Sequence, residues 1–315
     1  MLFTLLAAGV TGCRERAAPA VEAGAAAGSG AAAGSGAAIV EAGGAAAAGP
    51  VSVTDDAGRV IRLAAPARRI VSLAPSHTEI VYAIGAGDRL VGRTPACDHP
   101  PAAAAVPPVG DLFPPAWERI LGADPELVLM AGGSLDVRRR LEGHGLVVAV
   151  FDPRTLPAVA DAMRRIGALA GVDAEPAAAR FEAALAAASR PAGGDAPRVF
   201  YEVGFEPLYG AGPEGFVGDL IRRAGGENAL GRGEWPRVET EQLVAANPGV
   251  IVVGNAARRD AIRAAPPAGW AAIDAVARGQ VVAVPDADLF VRPGPRVVEG
   301  LAWLRATLDA ARESR

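Results

Sequence analysis

The chain has 315 residues, 51% hydrophobic and 21% charged, with a formal net charge of −4, which is ample for a buried core and fits two domains better than one. The mild acidity and the lack of basic runs argue against a nucleic-acid-binding surface, which must displace counterions. Lysine is absent, so there is neither a phosphate-cradling P-loop lysine nor a lysine Schiff base; GC-rich coding bias is the simplest source of that absence.

The chain begins with the apolar run MLFTLLAAGVTGC. It is too short to span a bilayer and reads as a signal peptide. Small residues just before Cys13 resemble the lipobox of bacterial lipoproteins, so residues 1–13 are expected to be a signal with Cys13 as the lipidated position. No basic residue precedes the run, so either the signal is atypical or the start lies upstream of Met1. With Cys13 lipidated, Cys97 is the only thiol left and no disulfide framework exists. By itself Cys97 reads as a small buried hydrophobe.

Residues 14–50 are Ala/Gly-rich, with AAAGSG twice in succession. Such a segment buries too little surface to offset its ordering entropy and is expected to be a flexible tether. Its root-mean-square reach is on the order of 35 Å.

From Val51 onward, short apolar runs alternate with helical patterns. The runs are Ile70–Ala74, Leu127–Ala131, Leu146–Phe151, Val199–Val203, Val250–Gly254 and Val281–Pro285. Unbroken apolar runs suit parallel strands covered on both faces by helices, which predicts an α/β fold.

The chain also repeats itself. Glu118-Arg-Ile-Leu-Gly-Ala-Asp-Pro125 leads into one run, and Glu241-Gln-Leu-Val-Ala-Ala-Asn-Pro248 leads into another. Flanking segments match as well, Ile70–Ala74 with Val199–Val203 and the run ending at Asp152 with the one ending at Asp288. The repeat predicts two Rossmann-like lobes, residues 51–155 and 196–315, with a ligand in the cleft between them. Residues 156–195 are rich in Ala, Leu and Arg at helical spacing and predict a stiff helical connector, with Asp173 capping and Pro176 in the first turn of its second segment. A helix of about 15 residues runs some 22 Å, so closure is expected to be a small rocking.

The passages VTDDAGRVIRL, ARRIVSLAPSHTEIVYAIGAGDRLVG, CDHPP, VGDLFPPAWERILGADPELVLMAGG, AGGENALGRGEWPRVETEQLV and DLFVRPGPRVVEGL together resemble the helical-backbone (class III) periplasmic substrate-binding receptors of iron-siderophore, haem and cobalamin ABC importers. The EWPRV and DLFVRPGPR passages resemble the cobalamin (vitamin B12) branch in particular. The resemblance implies an exported, lipid-anchored periplasmic receptor, monomeric and not an enzyme. It would carry a corrinoid as cargo, hold no resident cofactor, and partner an ABC permease and its ATPase. It implies ligand contacts for Trp235, for the polar pair Asp288 and Arg292 with Phe290 between them, and for Tyr209 and Cys97. Loops at Pro75–His77, Ala96–His99 and Leu112–Phe113 would complete the site. A wide, flat macrocycle with amide arms needs such aromatic walls and a few convergent polar groups, and Pro293 and Pro295 would stiffen the Arg292 loop. The plainer readings are an interface aromatic for Trp235 and a surface ion pair for Asp288 and Arg292.

Glu118 and Glu241 occupy equivalent positions of the repeat, and the resemblance implies that they dock onto the permease; two charges in pseudo-twofold register suit a two-fold symmetric transporter. Acidic residues near a helix N-terminus also favour the macrodipole on their own. The chain departs from the resemblance at Ala96, where many cobalamin receptors carry tyrosine, and at Leu112 and Ala131, where some carry tryptophan. Phe113, Trp117 and Tyr209 are candidates to fill the gap. A smaller or altered corrinoid, or another flat metal chelate, stays open as the ligand.

Three histidines, His77, His99 and His144, are too few for a zinc or manganese receptor. Ser76, His77 and Glu79 read as the capped first turn of a helix, while His77 or His99 offers an axial nitrogen to a haem. An enzyme is the competing class. However, Gly85-Ala-Gly87 follows a helix instead of opening one, and no nucleophile–base constellation stands out.

Overall fold

The computed structural model describes residues 49–111, 114–190 and 193–314. The expected signal peptide, Cys13, the tether up to residue 48, Leu112 and Phe113 lie outside the described residues. An antiparallel hairpin of β1 (Val51–Thr54) and β2 (Val60–Leu63) comes first, with Val51 opposite Leu63. Asp55 makes its turn: one carboxylate oxygen accepts the amides of Ala57 at 3.1 Å and Arg59 at 2.9 Å. The other accepts the Val150 amide at 3.1 Å and fastens the hairpin to the first sheet.

That sheet is built from β3 (Ile70–Ser72), α1 (Pro75–Ala83), β4 (Leu90–Arg93), α2 (Trp117–Gly122), β5 (Leu127–Met130), α3 (Leu135–Gly143) and β6 (Val148–Val150). Its strands are all parallel, in the order β4-β3-β5-β6. The segment expected to connect the lobes forms α4 (Leu156–Ala170) and α5 (Glu175–Ala188). Gly171 ends α4 in the left-handed region at φ 62°, where a side chain would also strike Pro66. The Asp173 carboxylate accepts the Glu175 amide at 3.0 Å and so starts α5.

The second half contains β7 (Arg198–Phe205), β8 (Leu208–Gly210), α6 (Phe216–Arg223), β9 (Glu227–Asn228), α7 (Thr240–Ala246), β10 (Val250–Val253), α8 (Ala256–Ala264), α9 (Asp274–Ala277), β11 (Val281–Ala283), α10 (Asp288–Val291) and α11 (Val297–Glu313). β7 lies parallel to β9 on one side and to β10 on the other, and β11 follows β10. Both sheets therefore share one winding: first strand central, second on one flank, third and fourth on the other. β8, antiparallel to the far end of β7, is an addition peculiar to the second half.

The repeat extends to the backbone. Asp124 (φ 47°) and Asn247 (φ 43°), the equivalent residues before Pro125 and Pro248, are the non-glycine residues with positive φ among those described. Asp and Asn are the side chains that tolerate this region best. Each makes the tight turn between a short helix and the strand after it.

The halves share a core. Ile70, Leu127 and Phe151 of the first sheet, Met163 and Ile166 of α4, Phe181 and Leu185 of α5, and Tyr201, Val252, Leu304 and Leu308 of the second half belong to one buried cluster. Separate clusters cover the outer face of each sheet. Fully burying one such side chain contributes about 1.5–3 kcal/mol, so the seam between the halves cannot open widely without exposing apolar surface. No helix among the described residues is long and apolar enough to cross a membrane.

Candidate ligand-binding cleft

In parallel α/β sheets, ligands bind beyond the carboxyl ends of the strands. Here those ends carry Pro75–His77 and Ala96–His99 in the first half and the Trp235 and Asp288–Arg292 segments in the second. Two polar seams join the halves there. On the edge where β4 faces β11, Arg292 donates to Asp98 at 2.7 Å and pairs with Asp288 at 2.7 Å and Glu79 at 3.7 Å. Arg296 pairs with the same Glu79 at 2.9 Å and with Asp286 at 3.4 Å. On the opposite edge, where β6 faces β8, Arg154 pairs with Glu234 at 2.6 Å. Close by, the Asp219 carboxylate of α6 accepts the Leu156 amide at 2.8 Å and so caps α4 from the other half.

The carboxylates of the first seam respond to their crowding. Burial acts to raise Asp98, but the hydrogen bond and charge of Arg292, with the field of Arg296, hold it below its ordinary value. Burial pushes Asp288 up; Asp286 and Asp98 add to the shift, while Arg292 and Arg296 oppose it.

A cavity of about 530 Å³ opens at the carboxyl ends of β5 and β6, lined among others by Ala131, Gly132, Ser134, Arg138 and Asp152. Burial, then Asp56, raises Asp152 against the charge of Arg154. A second cavity, about 300 Å³ and lined by Arg198, Asn247 and Gln280, lies at the amino ends of the second sheet, away from these loops.

Trp235 is half-buried against the shared core. Its loop is fixed to the β8 hairpin by Gly212 N donating to Glu234 O at 2.8 Å and Gly210 N to Pro236 O at 3.1 Å, with Tyr209 bridging to Arg237. Asp288 and Arg292 stand one turn apart on α10 and form the expected ion pair, but Arg292 also reaches across the seam.

Two expected ligand contacts are corrected. Phe290 is fully buried, against Tyr201 at 5.9 Å and Trp303 at 5.5 Å. The segment is a helix, so a residue two places from Asp288 points to the opposite face. Cys97 is fully buried too, its Sγ 3.2 Å from the Thr94 hydroxyl, in keeping with the plainer reading of that thiol.

The α1 reading also changes. Ala74 is the N-cap, Pro75 opens the helix, and Ser76 lies inside it without capping. Glu79 is not a solvated first-turn acid; its side chain is 2% exposed and committed to Arg296. His77 is buried, with Nε2 at 3.0 Å from the Phe151 carbonyl, and burial lowers its pKa to about 4. That nitrogen is not available to a haem iron. His99 is half-buried and His144 exposed.

Glu118 and Glu241 are exposed, each in the first turn of its helix, and neither makes an ion pair among the described residues. Trp117 beside Glu118 is held under Arg140 at 4.3 Å. A capping box of Glu239 and Gln242 fixes the start of α7 before Glu241. Sequence reasoning missed Glu79, Asp286 and Arg296. It also missed Phe205, 54% exposed at the end of β7 beneath Arg258 at 4.5 Å.

Residues 70–287 match the profile of the periplasmic binding protein family. The chain belongs to this family. Its members are transport receptors rather than enzymes. A substrate-binding lipoprotein of an ABC transporter from Bacillus subtilis is 29% identical over 272 residues, 82% of this chain and 85% of that one. A cobalamin-binding protein of Halobacterium salinarum is 32% identical over 270 residues, 80% of this chain and 72% of that one. Among solved structures, the vitamin B12-binding protein of Vibrio cholerae superposes with a TM-score of 0.66 at 27% identity, over 79% of this chain and 99% of that one. The haem-binding protein of Roseiflexus is equally similar, at TM-score 0.67 and 26% identity over 78% and 99%. The two-lobed α/β fold expected from the repeat is the fold of this family.

Proposed function

We propose that the protein is the receptor of an ABC importer that captures a corrinoid between its halves and hands it to a membrane permease. The observation that carries this reading is the pose of Arg292. It stands one turn from Asp288 at the carboxyl end of β11, with its guanidinium turned across the seam to Asp98 at 2.7 Å. A donor held there addresses the cleft, where the amide arms of a wide macrocycle need convergent polar partners. The cobalamin-binding relative and the vitamin B12-binding structure support the same ligand class. Trp235 supplies a half-buried aromatic wall. Ala131, at a position where the resemblance expects tryptophan, borders open space instead.

The haem-binding neighbours support a haem reading, but haem needs an axial ligand. His77 is fully buried with Nε2 on a carbonyl, and burial pushes the Tyr201 phenol well above its ordinary value, which leaves His99 as the histidine beside the cleft. Glu118 and Glu241 are the proposed permease contacts. Cys13 is the proposed lipid attachment, with residues 14–50 as the tether between the membrane and the folded part; the lipoprotein relative supports a lipid anchor.

The test is calorimetric titration of the purified protein with cyanocobalamin, cobinamide, hemin and a ferric siderophore. Saturable one-to-one corrinoid binding, weakened by Trp235→Ala and Arg292→Ala, is the expected result. Binding of hemin or siderophore alone would move the ligand within the family, and silence towards all four would remove the reading.

A further inference from the structure

Resting on the receptor reading above, we infer that the β4/β11 rim of the cleft selects ligands by charge, accepting a macrocycle whose arms are uncharged and rejecting one that presents carboxylates there. The inference comes from the charge count and from which groups are already occupied. Four carboxylates, Glu79, Asp98, Asp286 and Asp288, meet two guanidiniums, Arg292 and Arg296, in one connected network. The network is therefore acid-rich by two charges.

Both arginines are already balanced by carboxylates. One terminal nitrogen of Arg292 is held by Asp98 and the other by Asp288, each at 2.7 Å. The terminal nitrogens of Arg296 go to Glu79 and Asp286. Both side chains are mostly buried, 13% and 17% exposed, so solvent screens them only in part. An arriving amide oxygen can share a guanidinium proton without disturbing these pairs, and an amide N–H can donate to the outer oxygens of Asp98 or Asp288. A carboxylate oxygen can accept the same proton, but it brings a full negative charge beside Asp98 and Asp288 in a network that is already acid-rich. Discrimination of this sort comes from the repulsive element, not from a better contact with the preferred ligand.

Asp98 is the residue that sets the rule. Its side chain is 64% exposed, the most accessible of the carboxylates that hold Arg292, and it belongs to the first half while Arg292 belongs to the second. Converting it to asparagine removes one negative charge, frees part of Arg292, and leaves the buried Glu79 pair in place.

The experiment compares two matched pairs of probes on the full-length protein: cyanocobalamin against its side-chain monocarboxylic acid, and hemin against its dimethyl ester in the same detergent. Within the pair that binds, the uncharged form is expected to bind about tenfold more tightly at neutral pH, the scale of one like charge a few ångströms away in a partly exposed site. Asp98→Asn is expected to bring the two forms of that pair to within about threefold, whereas Asp98→Glu keeps the wild-type ratio. Equal binding of acid and amide by the wild type, or an unchanged ratio in Asp98→Asn, overturns the inference and leaves the corrinoid reading standing. Preference for the ester with no corrinoid binding overturns the corrinoid reading and leaves the charge rule standing. Binding of hemin over its ester, or of none of the probes, overturns both.

Discussion

Arg296 of α11's leading turn and Glu79 of α1 meet at 2.9 Å across the seam, although 217 residues separate them in the chain. Glu79 is nearly inaccessible, so its charge is balanced by Arg296 and, farther off, Arg292. Glu79→Ala leaves both guanidiniums with a buried partner missing and is expected to cost about 2–3 kcal/mol. The Glu79→Ala/Arg296→Met double variant is expected to recover part of that loss. Urea unfolding of both single variants and the double variant measures the coupling, and a purely additive result would remove it.

His77 gives the protein a pH dependence of definite sign. Its folded pKa is about 4 against an ordinary 6.5, because burial disfavours the imidazolium more than the Phe151 carbonyl and Asp56 favour it. Between those values the unfolded chain binds a proton that the folded protein does not, so stability falls as pH falls. From pH 7.5 to 4.5 this contribution amounts to about 2–3 kcal/mol. His77→Gln, which retains a donor for Phe151, is expected to flatten the fall of the urea midpoint over that range.

The left-handed turns at Asp124 and Asn247 look alike but respond differently to glycine. Asp124→Gly relieves backbone strain and gives up only a 3.9 Å pair to Arg69, with Asp124 93% exposed, so a change within about 0.5 kcal/mol is expected. Asn247→Gly also loses the acceptor for the Asp274 amide at 2.8 Å and is expected to cost about 1 kcal/mol. Valine at either position is expected to cost about 1–2 kcal/mol. Thermal melts of the four variants check the order.

Glu118→Arg and Glu241→Arg are expected to leave ligand affinity unchanged and to lower receptor-stimulated ATPase activity of the reconstituted importer about tenfold each, with no stimulation from the double variant. Full stimulation by the double variant would assign both acids to the helix dipole alone.

Each apolar run picked out of the sequence contains a strand. β4 and β9 were not visible: LVGR has a glycine and an arginine in its short length, and β9 has only two residues. Their partners, β3 and β7, make them strands. The Asp288–Arg292 pair was legible through the resemblance of its passage, and the fold sets the two one helical turn apart. Phe290 was misplaced because the prolines after it suggested a loop, when the turn of helix before them decides which way it faces. Glu79, Asp98 and Arg296 stand in recognisable passages, SHTE, CDHPP and RPGPR, but nothing local says that they belong together. Their roles exist only once two loops distant in the chain are brought together, and burial of that kind is set by the fold and not by composition.

The shared core has a further consequence for how the molecule can be divided. Each half of the repeat has its own sheet and its own winding, as if it were able to stand alone. But α4 depends on Asp219 for its cap and α5 lies in the core common to both sheets. A cut through the turn at residues 171–174 would leave each fragment with an open apolar face and the first with an uncapped helix. The duplication survives in the pattern of the chain, but with one core between them the two copies are expected to melt as a single cooperative body.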